Sequence, residues 1–318
     1  MAKQATGSNS VTVIDFETNY SINPTTKHGK IMPFNKNSMQ SKQSMIDPQT
    51  ITGTRNQVEP AKGNIDVSGS MTIPVDLDCF GYWLKGCFGS PTSTVDAVDA
   101  TLFTHNYKIL DNQPSMVIEK QYKDINQNFV YNGCKINNLK MSFGGDGELT
   151  ADFDFVGAKE TISTTKYDAS QETIVLNRLS NFQASIEENG TELAIVTSGD
   201  LSINFGLDTS QYLIGGMGYR GDVLEGAVKA EGSLKVLFQD TAFLDKAKGS
   251  TKSTLKIKFK KDTQSLEFVL PEIIYDATSP SVDGRAGITL DVKFQAFLGT
   301  DSNKSSVMVN LVNHIEKY

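Results

Sequence analysis

Apolar and polar residues alternate along most of this chain, the mark of strands with one buried face. Leu149, Ala151, Phe153 and Phe155 alternate with Thr150, Asp152 and Asp154. Leu201, Ile203 and Phe205 repeat the pattern, as do Leu255, Ile257 and Phe259 against Lys256, Lys258 and Lys260. Ile288, Leu290, Val292, Phe294 and Ala296 predict a last long strand, and Val11, Val13, Ile14 and Phe16 a first one. Turn signals punctuate these runs: Gly144-Gly145-Asp146-Gly147, and Asn189-Gly190 at the tip of a hairpin. Asn132-Gly133 predicts a turn that splits the apolar run 129–143. The chain is therefore mainly β, with antiparallel meanders.

Two stretches break the alternation in the same way. After Gly69-Ser70 a strand ends at Pro74, and the spacing predicts a short helix over 77–88 with Phe80, Trp83, Leu84 and Cys87 on or near one face. Asp76 is its candidate cap and Gly89 its stop. After Gly232-Ser233 comes a second strand, then Asp240 as cap, Phe243, Leu244 and Ala247 as the apolar stripe, and Gly249-Ser250 as the end. Phe80, Trp83, Leu84, Phe243 and Leu244 are the expected core anchors. Gly147-Glu-Leu-Thr-Ala-Asp-Phe-Asp-Phe also resembles Gly287-Ile-Thr-Leu-Asp-Val-Lys-Phe. One order of strands around one short helix is thus used twice. The expected division is 1–165 and 166–318, with a boundary in the polar stretch 157–173.

Two long segments, 18–62 and 206–227, hold few core residues and precede the two Gly-Ser strands. Segments of this composition cannot bury a core of their own and need another chain to order them. Asn35, Lys36, Arg55, Glu59, Lys62, Met217, Tyr219 and Arg220 are the candidate contact residues, and residues 35–44 read as removable without loss of the fold. Residues 1–10 are polar and expected to be mobile.

Composition narrows the function classes. The chain has 318 residues, 38% of them hydrophobic, and a formal net charge of -7. That supports a packed core and argues against a surface that grips nucleic acid along its length. Three cysteines without a Cys-x-x-Cys pair read as reduced core thiols, and Met1-Ala2-Lys3-Gln4 opens no secretory leader. No stretch is long and apolar enough to predict membrane insertion. Gly216-Met-Gly-Tyr-Arg-Gly221 matches a dinucleotide fingerprint in letters, yet no long helix pattern follows it, so it reads as a loop. The three histidines sit in no ligand motif, and no nucleophile elbow or phosphate loop occurs. No catalytic, metal or cofactor site is expected, and the chain is not read as an enzyme. Lys252, Lys256, Lys258, Lys260 and Lys261 form a basic run. Its alternation makes it the wet face of a strand, expected to point outward or to meet Asp152 and Asp154 across a subunit interface.

Several of these stretches resemble the tail tube proteins of long-tailed bacteriophages. They are Gly69-Ser-Met-Thr-Ile-Pro with the helix through Trp83, Pro114-Ser-Met-Val-Ile-Glu-Lys, Tyr131-Asn-Gly-Cys-Lys-Ile-Asn-Asn-Leu-Lys-Met-Ser-Phe, and Gly147-Glu-Leu-Thr-Ala-Asp-Phe-Asp-Phe-Val-Gly. The likeness covers residues 50–160 well and 180–300 more weakly. It implies two tandem β-sandwich or barrel folds, each flanked by one helix and long loops. It implies rings of sixfold character, stacked into a tube through which DNA passes without specific binding, its lumen of net negative potential. Two folds per chain would let three chains close such a ring, in place of a hexamer. The implied partners are other copies of the chain, a tape measure protein, a tail terminator and a distal tail protein. The implied location is the virion tail, after assembly in the host bacterial cytoplasm. Another ring-forming tail component is the nearest alternative, and a β-sandwich ligand-binding module the next.

Overall fold

The computed structural model describes residues 3–282, 284–300 and 302–318. Its elements follow the predicted alternation. The first half carries β1 (Ser10–Phe16), β2 (Lys30–Met32), β3 (Lys36–Asn37), β4 (Gln40–Ile46), β5 (Ala61–Pro74), α1 (Phe80–Phe88), β6 (Thr92–Val95), β7 (Phe103–Lys108), β8 (Met116–Tyr122), β9 (Gln127–Gly144), β10 (Thr150–Gly157) and β11 (Lys159–Ser163). The second half carries β12 (Glu172–Thr173), β13 (Ala184–Glu188), β14 (Thr191–Glu192), β15 (Val196–Asn204), β16 (Lys229–Leu237), α2 (Ala242–Lys248), β17 (Ser253–Lys261), β18 (Gln264–Ala277), β19 (Thr289–Ala296) and β20 (Met308–Asn313).

Hydrogen bonding joins these strands into one large open sheet that does not close into a barrel. Its central part runs β4, β5, β10, β9, β15, β16, β19, β18, all antiparallel. Two long strands carry the sheet round corners. The first residues of β9 pair with β8 and β11, and its last with β10 and β15. The first residues of β18 pair with β17 and β20, and its last with β19. One large apolar cluster fills the inside across both halves, from Ile14 to Leu311, and a small second one gathers Val117, Val130 and Tyr167.

The sequence repeat is a repeat of topology. The ladder β1–β8–β9–β10–β5, with β11 beside the first residues of β9, recurs as β13–β17–β18–β19–β16, with β20 beside those of β18. The registers agree in detail. Phe155 lies opposite Gly69, and Phe294 opposite Gly232. A bulge between Met116 and Ile118 on the β8–β9 ladder has its match between Ser253 and Leu255 on β17–β18. The halves are also joined: β15 pairs with β9, and β20 with β7.

Several expectations change. Asn132-Gly133 is not a turn; β9 runs through it. Gly133 takes φ 64°, and a Cβ there would stand 2.8 Å from that of Ala158, so the signal marks a corner bend. The helix begins at Phe80 instead of 77, because the Asp76 carboxylate accepts the Asp78 and Cys79 amides at 2.7 and 2.6 Å and holds a turn there. At the end of α2 the left-handed residue is Ser250 (φ 48°), while Gly249 stays right-handed. Segment 18–62 is not a structureless arm. It contributes β2, β3 and β4, and Met39 is fully buried, so residues 35–44 are part of the fold. The stretch 157–173 holds β11 and β12. Met1 and Ala2 lie outside the described residues, but Thr6 and Asn9 are fixed to the Asp124 carboxylate.

Candidate functional site

The buried phase of each central strand faces the core, so its other phase must face away. On β10, Ala151, Phe153 and Phe155 are buried, while Asp152 and Asp154 are exposed. The register aligns the outward residues in rows across both halves. Thr72, Asp152, Lys140, Ser202, Glu231 and Gln295 form one row. Ser142, Asp200, Ser233, Lys293 and Asp276 form another. The face is made of short polar side chains and charges, with no aromatic ring in these rows.

Its electrostatics are ordered. Lys140 lies opposite Asp152, Lys235 opposite Asp291, and Lys293 opposite Asp276. Lys229 Nζ sits 2.7 Å from Glu231. Asp154 and Asp200 have asparagine or serine as ladder neighbours; Asp154 accepts from Asn138 Nδ2 at 3.2 Å and Asp200 from the Ser233 hydroxyl. From β10 to β18 the acids Asp152, Asp154, Asp200, Glu231, Asp276 and Asp291 are interleaved with the lysines Lys140, Lys229, Lys235 and Lys293, while the β3–β5 end adds Lys36, Lys42 and Lys62 around Asp66. Such a surface has neither the continuous basic track nor the stacking platform that holds a nucleic acid.

The helices lie on the opposite side of the central sheet. Trp83 packs on Phe153 and Phe155 at 5.5 and 5.9 Å between ring centroids, and Phe80 on Phe153 at 6.1 Å. Leu84 is fully buried beside them. Phe243 meets Tyr275 edge-on at 5.4 Å, and Leu244 is buried next to it.

The candidate contact residues fall into separate places. Met217 and Lys62 come together: the Ile65 amide donates to Gly218 O at 2.8 Å, and Met217, Gly218, Gln43, Ile46 and Lys62 line one shallow depression. Around it Met45, Ile46, Leu213, Ile214 and Met217 expose apolar side chains. Arg55 and Glu59 are exposed in the segment between β4 and β5, and Tyr219 is half-buried. Asn35 and Lys36 lie elsewhere, near Phe34, Gly7 and Tyr122, with Asn35 Nδ2 2.7 Å from Glu148. Arg220 is buried. Its guanidinium donates to Thr209, Val67 and Gly157 carbonyls and ion-pairs with Asp66, so it buckles loop 206–227 onto β5.

Within the chain the basic run meets its own partners. Lys256 lies opposite Glu187 and Lys258 opposite Glu267, at 4.0 and 3.6 Å; Lys252 pairs with Glu272 at 2.8 Å. Lys261 donates to Asn177 Oδ1 at 2.7 Å.

A family model for phage tail tube proteins matches residues 7–296. The chain belongs to the phage tail tube protein family. A search of curated proteins returns no match. The family is structural and not one of enzymes, so this tail tube protein is a component of the virion tail that assembles with itself and other tail components into a tube. The residues that sequence reasoning missed are the outward ones on β5, β15, β16 and β19. Their signal was present as the polar phase of each alternation, but which strands share a sheet is a matter of long-range pairing.

Proposed function

We propose that this tail tube protein forms rings in which the polar face of the central sheet lines the lumen. Each chain supplies two tube folds, 1–165 and 166–318, so three copies make a ring of pseudo-sixfold character. Stacked rings conduct DNA into the host without specific binding. The observation that carries this reading is the polar face itself, continuous from β5 to β19 across both halves. Carboxylates interleaved with the lysines break the face into alternating charges, so phosphate meets no continuous basic track from which counterions could be released. The apolar cluster around Met217 and Ile214, with Lys62 beside it, is the contact to the adjacent ring, and the exposed Arg55 and Glu59 of the segment between β4 and β5 join it there; Asn35, Lys36 and Tyr219 are secondary contacts. Arg220 acts indirectly by holding that loop in place. A tape measure protein, a terminator and a distal tail protein complete the set of partners, met in the host cytoplasm.

The test is microscopy of the purified protein, with a thiol placed on the face as Ser202→Cys. Hollow tubes in which a bulky maleimide cannot reach that thiol, although it labels the subunit before assembly, are the expected result. Tubes whose outer wall carries the label would overturn the assignment of the face.

A further inference from the structure

Asn177 lies in the segment that joins the two halves, and a cluster of polar side chains forms around it. The Leu77 amide donates to Asn177 O at 2.9 Å and the Leu179 amide to Val75 O at 3.1 Å, so this segment is stitched to the chain that enters α1. Lys261 and Gln264 face each other across the turn between β17 and β18. Asn177 Nδ2 donates to Oε1 of the buried Gln264 at 2.6 Å, and Lys261 Nζ donates to Asn177 Oδ1 at 2.7 Å. Asp78 completes the cluster. Its Oδ1 is buried and finds no hydrogen-bond partner among the described residues. Burial pushes its carboxyl above the usual range, against the pull of His314, Asn177 and Lys261.

An ammonium–amide hydrogen bond accounts for the 2.7 Å contact, but it gives the acid beside it no role. We propose that Lys261 and Asn177 join in an intramolecular isopeptide bond, with Asp78 as the proton carrier. Asn177 Cγ stands within about 4 Å of Nζ, since the carbonyl bond beyond Oδ1 is about 1.23 Å long. That is close to the separation of a near-attack pair. Gln264 holds Nδ2 on its own side and leaves the carbonyl turned to Lys261. The Asp78 carboxylate takes a proton from the Lys261 ammonium, and the neutral amine attacks Cγ. The Nζ–Cγ bond forms, the Cγ–Nδ2 bond breaks, and the two protons that Nζ gives up leave on Nδ2 as ammonium. The step consumes no oxidant and no cofactor. Its product anchors the β17–β18 turn to the segment joining the halves. It also closes a covalent loop that restricts the unfolded chain, as a disulfide does. None of this depends on how copies of the chain assemble.

The experiment is mass spectrometry of the purified full chain, fresh and after prolonged incubation. The wild type should fall short of its sequence mass by one ammonia. Trypsin should spare the bond after Lys261 and release one branched peptide that contains Asn177. Lys261→Arg and Asn177→Ala, with circular dichroism showing that each is folded, should keep the full mass. Asp78→Asn should lower the cross-linked fraction formed in equal time by about 100-fold. A folded wild type at full mass, with Lys261 open to trypsin at every time, would overturn the proposal. So would a loss of ammonia with Lys261 still cleaved, since a succinimide at Asn177 gives the same mass without the cross-link. Cross-linking of Asp78→Asn at the wild-type rate would overturn the role of Asp78.

Discussion

The two helices occupy the same place in the repeat and are built very differently. α1 has Phe80, Trp83, Leu84, Cys87 and Phe88 all buried, and it is pinned from outside by Tyr318. The Tyr318 hydroxyl donates to Asp78 O at 2.9 Å, and its ring meets Tyr82 and His105 at 4.8 Å each. α2 buries only Phe243 and Leu244, and its capping Asp240 is exposed. A shared backbone plan thus tolerates unequal anchoring. What the plan requires is one aromatic wedge between helix and sheet; the further burial at α1 reflects the segments from β7 and β20 that close over it.

The largest way to break this comparison is Trp83→Ala, which should cost about 3–5 kcal/mol because a fully buried indole leaves a cavity against Phe153 and Phe155. Chemical denaturation checks it, and a loss below that of Phe243→Ala would reverse the ranking of the helices. Phe243→Ala should fall at the lower end, about 2–3 kcal/mol, since the short helix can relax toward Tyr275. Gly81→Ala sharpens the role of the outer pin. A Cβ there would come within 2.1 Å of the Tyr318 ring, so the ring must leave. The expected cost is about 1–3 kcal/mol, and it should shrink when combined with Tyr318→Ala.

The caps differ in a way that pH can read. Burial raises the Asp76 carboxyl from 3.8 to about 7, against the pull of the Cys79 and Asp78 amides. The fold therefore favours its neutral form. That contribution is fully present below the unfolded value of 3.8 and is lost as pH rises through 7, up to about 4 kcal/mol in all. Asp76→Asn keeps an acceptor for both amides and should flatten this part of the stability–pH curve, with Asp240→Asn as the exposed counterpart. An unchanged slope in Asp76→Asn would show that another group sets it. The smallest effect is expected at the lysine ladder. Lys258→Ala should change stability by less than about 1 kcal/mol, because its pair with Glu267 is partly exposed.

The alternating runs determined by themselves that this chain is mainly β, and the Gly-Ser strand followed by a capped aromatic helix was legible twice. These signals are local: periodicity reports which phase of a strand is dry, and a carboxylate two to four residues before a helix acts on its own neighbours. Glycine was read less well. Asn132-Gly133 has the letters of a hairpin, yet the strand continues because Ala158 and β11 pair beside it. The polar arm gave no sign that Met39 would be buried, since one methionine among Ser, Gln and Lys has no period. Arg220 looked like a surface contact and became an internal buckle, because the carbonyls it satisfies belong to β5 and β10, far away in sequence. The tertiary structure alone decided that β15 joins β9, so that the polar faces of both halves become one surface. That choice depends on the pairing of edges remote along the chain, which no window of sequence can contain.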